Sequence, residues 1–183
     1  MAPPRVRNKN LLAGNETTMA PCGGVTVVVP TYNEAANLPE LVRRLKTALD
    51  GRLTYEVIIA DDRSSDGTAR VAEELRGELS VPLRILERDG PRSLSLSVIE
   101  GAKAARYPCI VVLDADLSHD PDAALGLAHA VLSGRCDVAV ASRYARGGEI
   151  RAWPLWRRIL SFLGTRLARL IARVDDPLSG YFA

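Results

Sequence analysis

Sulfur and imidazole are scarce in this 183-residue chain. Its three cysteines, Cys22, Cys109 and Cys136, are too few and too scattered for a disulfide framework or a zinc site. Each reads as a small apolar filler or a surface thiol, which suits a reducing compartment. Two histidines exclude a His-rich metal centre. No apolar run approaches the roughly 18 residues that a spanning helix needs. Residues 1–24 lack the apolar stretch of a signal peptide, so Asn15-Glu16-Thr17 reads as a chance match to the glycosylation pattern. Charge of one sign is lacking too. The 24 Lys and Arg face 22 Asp and Glu, and the net +2 gives no ground for a nucleic-acid partner. No G-x-G-x-x-G follows the first apolar run and no G-x-x-x-x-G-K-[ST] occurs, which removes the main support for dinucleotide and P-loop readings.

What is present is a globular composition, 47% apolar and 25% charged. The length suits one domain that buries roughly 70% of its unfolded surface. Residues 1–24 are rich in Pro, Asn, Gly and Thr, without periodicity, and read as a flexible leader. The domain is expected over 25–183.

A strand–helix rhythm runs through that domain. Residues 25–29 are β-branched and end at Pro30, as a buried strand does. Leu38, Leu41, Val42, Leu45 and Leu49 follow at helical spacing. Residues 57–59 predict a second strand ending at Asp61-Asp62, and 65–76 a helix with Val71, Ala72 and Leu75 inward. Residues 83–86 predict a third strand, placed at an edge by Pro82. Residues 93–106 predict a helix, and 109–113 a fourth strand ending in Asp114-Ala115-Asp116. Residues 122–133 predict a helix with Pro121 suited to its first turn. Residues 138–140 predict a fifth strand ending at Ser142-Arg143, and 155–174 a long last helix. Strands alternating with helices imply an α/β fold with a mostly parallel sheet flanked by helices.

In such sheets ligands bind beyond the carboxyl ends of the strands. The polar residues that interrupt the apolar pattern gather at those ends: Tyr32-Asn33-Glu34, Asp61-Asp62, Asp114 and Asp116, and Arg143. Asp114 and Asp116 repel each other unless a cation lies between them. Hard oxygen ligands without His or Cys point to Mg²⁺ or Mn²⁺, which commonly shares its shell with substrate phosphates. In the turn at 61–68, Asp66 is expected to cap the next helix while Asp62 faces a ligand.

Five segments carry a resemblance: Val27-Val-Val-Pro-Thr-Tyr-Asn-Glu34, Ala60-Asp-Asp-Arg-Ser-Ser-Asp-Gly-Thr68, Leu113-Asp-Ala-Asp-Leu-Ser-His-Asp-Pro121, Ser142-Arg-Tyr144 and Asp176-Pro-Leu-Ser-Gly180. In order and spacing the chain from 25 to 183 resembles the family 2 glycosyltransferases of Rossmann-like GT-A fold, and among them the polyprenyl- and dolichyl-phosphate mannose synthases. The resemblance implies donor binding by Pro30, Tyr32, Glu34, Ala60, Asp62, Asp114, Ala115 and Asp116. It implies metal contact by Asp114, Asp116 and Ser118, catalysis by Asp116 and Arg143, and acceptor-phosphate contact by Arg143, Arg157 and Ser161.

The implied reaction is inverting transfer of mannose from GDP-mannose to a polyprenyl or dolichyl phosphate. The alternatives are a UDP-sugar hexosyltransferase acting on a lipid phosphate, or a nucleotide-sugar-binding module with little activity. Relatives continue beyond Ala183, so a missing C-terminal region or a membrane-anchoring partner is expected. The expected location is the cytoplasmic membrane surface, held peripherally. The last helix carries an apolar stripe of Trp156, Ile159, Leu160, Leu163, Leu167, Leu170, Ile171 and Val174, with Arg157, Arg158, Arg166, Arg169 and Arg173 largely off it. That pattern suits an anionic membrane surface or the cover of a sheet equally.

Overall fold

The computed structural model describes residues 23–118, 120–141 and 181–183. The leader at 1–22, His119, and the segment at 142–180 with the predicted last helix lie outside the described residues.

Two strands form the middle of the sheet. β1 (Val25–Thr31) and β2 (Tyr55–Asp61) are buried along their whole length, as continuous apolar and β-branched runs in a parallel sheet must be. β3 (Leu83–Glu87) and β4 (Cys109–Val112) flank them in the order β3-β2-β1-β4, with every pairing parallel. β3 is the edge strand that Pro82 predicts. β1 runs past its predicted end to Thr31, with Pro30 opposite Ala60. Pro30 fits there because of ladder parity. The Val25 amide and the Thr31 carbonyl bond toward β2, while the Val28 carbonyl bonds toward the β4 side. The missing N–H of Pro30 therefore falls on the β4 side, past the end of β4, where no ladder bond is needed.

Strand alternation divides the sheet into two faces. Val25, Val27, Val29, Val57, Ile59 and Val111 join the main core with helix α1 (Leu38–Leu49), helix α2 (Thr68–Leu79) and helix α4 (Ala124–Leu132). α1 buries Leu38, Leu41, Val42, Leu45 and Leu49, the predicted stripe. Val28 points to the other face, where Gly101 of helix α3 (Leu94–Lys103) packs so closely that a Cβ there would meet Val28 Cγ1 at 2.5 Å.

Element boundaries shift for local reasons. α2 begins at Thr68 and not at 65, because Ser64, Ser65 and Asp66 form the turn before it. α3 ends at Lys103, short of 106. Pro121 opens a 3₁₀ turn (Pro121–Ala123) before α4, with Asp120 accepting the Asp122 amide.

The fifth strand requires a correction. Residues 138–140 do not add a parallel strand to β4. Val112 and Val140 both bridge Phe182, antiparallel in each case. The Phe182 amide donates to the Val112 carbonyl at 3.1 Å, and the Ala183 amide to the Ala139 carbonyl at 2.8 Å. Residues 181–183 thus lie between β4 and 139–141. A short β-branched run marks extended chain but carries no information on its partner or direction.

Candidate active site

The rim begins with a buried carboxylate. Asp61, 1% exposed, accepts the Thr31 hydroxyl at 2.8 Å, the Ser64 amide at 2.8 Å and the Ser64 hydroxyl at 2.5 Å. From this knot the loops after β1 and β2 are stitched together. The Asn33 amide donates to Ser64 Oγ at 2.8 Å, the Glu34 amide to Thr68 Oγ1 at 3.0 Å, and the Ala35 amide to Asp66 Oδ2 at 3.0 Å. Asn33 holds a left-handed conformation at φ 58°, and its side chain accepts the Ser65 amide at 3.0 Å. Asp66 also accepts the Thr68 amide and hydroxyl at 3.0 and 2.6 Å. The N-cap of α2 is Gly67, at φ 90°, so Asp66 stands one residue ahead of the expected capping position and secures the turn before the helix. The Thr68 bonds, ahead of those from backbone amides, hold its carboxyl below the ordinary range. Glu34 accepts the Asn37 side chain at 2.8 Å.

Asp62, one residue on, reaches a second layer. Its Oδ2 accepts the Ser93 amide at 2.9 Å, and its Oδ1 pairs with Arg88. Arg88 is 3% exposed and lies just past the end of β3, its amide bonded to the Asp61 carbonyl at 2.9 Å. Its other terminal nitrogen meets Glu100 of α3 at 3.1 Å, and its Nε has no hydrogen-bond partner. The Tyr32 ring is 38% exposed, with the Arg92 guanidinium 3.6 Å from its centroid. Arg88, Arg92 and Ser93 escape the sequence reading. The available signal was Arg88 itself, a cation directly after an apolar strand on the rim that already gathers Asp61 and Asp62.

β4 ends at Val112, so Asp114, Ala115 and Asp116 belong to a turn and strand alternation does not set their directions. Ala115 is buried, Asp114 half-buried and Asp116 exposed. The turn passes through Leu117 at φ 57° and closes with the Ser118 amide donating to Asp116 Oδ1 at 2.9 Å. The donor set here is two carboxylates and a hydroxyl, all hard oxygen. Among the described residues no cluster of three or more His, Cys, Asp or Glu gathers. Few carboxylates and no soft ligand fit Mg²⁺ or Mn²⁺ sharing its shell with a phosphate.

Pro30, Tyr32, Glu34, Ala60 and Asp62 thus stand at the ends of β1 and β2. Asp114, Ala115, Asp116 and Ser118 stand at the end of β4, which neighbours β1. Arg143, Arg157 and Ser161 lie outside the described residues. A shallow open groove lined by Ala69, Arg70, Glu73, Ile85 and Glu87 opens elsewhere, between α2 and β3, and carries none of these side chains. Of the cysteines, Cys109 is buried in the core and Cys136 half-buried, and burial raises both thiol pKa values.

This arrangement, a parallel sheet flanked by helices with its acidic turn after β4, is the GT-A glycosyltransferase architecture. The sequence profile of glycosyl transferase family 2 matches residues 26–181, and the chain belongs to that family. A dolichol-phosphate mannosyltransferase of Pyrococcus furiosus is 40% identical over 87% of this chain and 45% of its own length. One from Mycosarcoma maydis is 35% identical over 97% of this chain and 61% of its own. The chain therefore spans between about half and three-fifths of the length of these curated relatives. A mannosyltransferase from Pyrobaculum calidifontis, solved with GDP-mannose and Mn²⁺, superposes at a TM-score of 0.51 with 28% identity over 67% of this chain and 36% of its own. The glucosyl-3-phosphoglycerate synthase of Mycobacterium tuberculosis superposes at 0.65 with 19% identity over 88% of this chain and 56% of its own, which is a likeness of fold.

Proposed function

We propose that this chain binds GDP-mannose on the β1–β2–β4 rim and forms the donor half of a transferase that moves mannose to a polyprenyl or dolichyl phosphate. The observation that carries the reading is the common rim: Tyr32 and Asp62 directly follow β1 and β2, and β1 lies between β2 and β4, whose following turn holds Asp114 and Asp116. The relatives named dolichol-phosphate mannosyltransferase supply the sugar and the acceptor class.

Each residue then has a task. The Tyr32 ring offers an apolar face to a base. Asp62 is an acceptor for base or ribose donors. Asp114, Asp116 and Ser118 are the residues that would hold Mg²⁺ or Mn²⁺, and such an ion stabilises charge growing on a leaving diphosphate. A phosphate monoester has a second pKa near 6, so at neutral pH the acceptor oxygen is already ionised and needs no general base. Two anions must then approach, and Arg143 and Arg157, with Ser161, are assigned to offset that repulsion at the acceptor phosphate. Direct displacement inverts the anomeric centre, and catalysis rests on positioning and electrostatics. Among the described residues no helix is long and apolar enough to cross a membrane. A lipid-linked acceptor sets the proposed reaction at a membrane surface, the cytoplasmic one, met peripherally.

The test is a binding panel of GDP-mannose, UDP-glucose and UDP-N-acetylglucosamine with Mn²⁺ or Mg²⁺, followed by transfer of radiolabelled mannose to a polyprenyl phosphate. The expected result is metal-dependent preference for GDP-mannose and an inverted product. Tighter binding of UDP-glucose would reassign the chain to a lipid-phosphate glucosyltransferase.

A further inference from the structure

α3 is inverted for a surface helix. An ordinary one turns its large apolar side chains to the core and its small or polar ones outward. α3 buries Ser97 and Gly101, and it leaves Leu94 62%, Leu96 39% and Ile99 46% exposed. Among the described residues five large apolar side chains are exposed, and three of them fall on this ten-residue helix.

The inversion follows from the sheet. Gly101 approaches β1 so closely that even a Cβ would meet Val28 Cγ1 at 2.5 Å, and Ser97 turns its hydroxyl back to the Ser93 carbonyl at 3.0 Å. A helix drawn this near meets the sheet through small side chains, and its leucines and isoleucine are left outside. Leu96, Ile99 and Lys103 are three and four residues apart, so they share one side of the helix. Leu94 stands at the end nearest the rim, next to Ser93, whose amide bonds Asp62 at 2.9 Å.

The unpaired charge near this side has one sign. Lys103 lies in the last turn and Arg106 follows three residues on. Both are exposed, and no carboxylate among the described residues pairs with either. Glu100, the one acid of α3, is taken up by Arg88 at 3.1 Å. Exposed aliphatic groups beside unpaired cations suit a bilayer with anionic headgroups. The aliphatic groups enter the boundary of the acyl chains, and the cations stay among the headgroups.

We propose that the outer side of α3 is a docking surface for an anionic lipid bilayer, entered by Leu96 and Ile99 and held by Lys103 and Arg106. The choice of a bilayer over a protein partner rests on the lipid-acceptor reading above. Because α3 starts at the rim, docking there sets the donor site beside the membrane.

The experiment sediments the full 183-residue chain with vesicles of phosphatidylcholine, alone or mixed in equal parts with phosphatidylglycerol. The variants are Leu96→Gln with Ile99→Gln, in which glutamine keeps a good helix propensity, and Lys103→Ala. Thermal midpoint, solution mass without vesicles and GDP affinity in Mn²⁺ are measured for each. The wild-type chain is expected to partition onto the mixed vesicles in preference to the neutral ones, and less so as salt rises. The double variant should lose about tenfold of that partition and Lys103→Ala about fivefold, with midpoint and GDP affinity unchanged. Absence of wild-type partition, or equal partition by wild type and variants, would overturn the proposal. A clearly lowered midpoint in the double variant would overturn it as well, because the chain itself would then cover this side. So would a wild-type dimer that the double variant abolishes, which would assign the side to a second copy. A chain that bound vesicles through α3 but bound no GDP would keep the docking surface and lose the nucleotide reading. A chain that bound GDP but no vesicles would do the reverse.

Discussion

At the scale of single residues, the acidic positions divide by what they bond. Asp61 and Asp66 hold two loops together, while the exposed Asp116 bonds within its own turn. Asp116→Asn is therefore expected to weaken Mn²⁺-dependent GDP binding at least tenfold, about 1.4 kcal/mol, while the thermal midpoint moves by no more than about 2 °C. Calorimetry beside a melting curve checks both halves. Glu56 shows the opposite behaviour. It is 2% exposed, and burial alone would raise its pKa. Bonds from the Arg106 amide at 2.5 Å, the Thr26 hydroxyl at 2.9 Å and Arg84 Nε at 3.1 Å outweigh burial and hold it below its ordinary value of 4.5. A depressed carboxylate contributes stability above its unfolded value and loses it as pH falls through the folded one. Stability should therefore fall as pH drops below 4.5, and Glu56→Gln should flatten part of that acid limb. Urea midpoints between neutral pH and pH 3.5 measure this, and parallel curves for the two proteins would refute the assignment. Tyr32, Glu34, Asp62, Asp114 and Asp116 could be singled out in the sequence because each breaks an apolar pattern at a strand end. Arg88 carried a like signal, a cation directly after an apolar strand, whereas Arg92 did not, because its setting depends on contact with Tyr32, far from it in the chain.

At the scale of elements, the helices and the first four strands were readable, while some of their ends and the pairing of the last short run were not. α1 matches its apolar stripe because five large side chains repeat on one face. α2 starts late because hydroxyls and carboxylates in a turn compete with the helix for backbone bonds. α3 sits where it does because Gly101 has no Cβ. Gly101→Ala brings a methyl to 2.5 Å from Val28 Cγ1, and Val28 is wholly buried in β1. α3 must lift or Val28 must turn, at a cost of about 1–3 kcal/mol for an overpacked contact. The same shift would carry Ser93 away from Asp62. Chemical denaturation should thus report lost stability, and a GDP titration should report weakened binding. A destabilised variant that kept wild-type GDP affinity would show that α3 does not set the donor rim.

At the scale of the whole molecule, the four strands pair in parallel, and the outer edge of β4 takes an antiparallel neighbour from the end of the described chain. Tyr181, 1% exposed, anchors the distant part, with its hydroxyl 3.4 Å from the Pro121 carbonyl. Tyr181→Ala should cost about 3–5 kcal/mol, as for other buried aromatic truncations. Tyr181→Phe should cost less than about 1.5 kcal/mol, the usual worth of one hydrogen bond. Urea unfolding of the pair separates ring from hydroxyl. The antiparallel pairing also bears on the order of folding. β1, β2 and β3 pair with one another over short separations, whereas β4 must first reach β1 across a long one, and only then can its outer edge receive Phe182, a second contact of high sequence separation and slow closure. Until it arrives, Val112 exposes an unpaired edge to any other extended chain. The interval between sheet formation and docking of residues 181–183 is thus the period of greatest aggregation risk. Pulsed hydrogen exchange should find the Val112 and Phe182 amides protected later than those of Val27 and Val57.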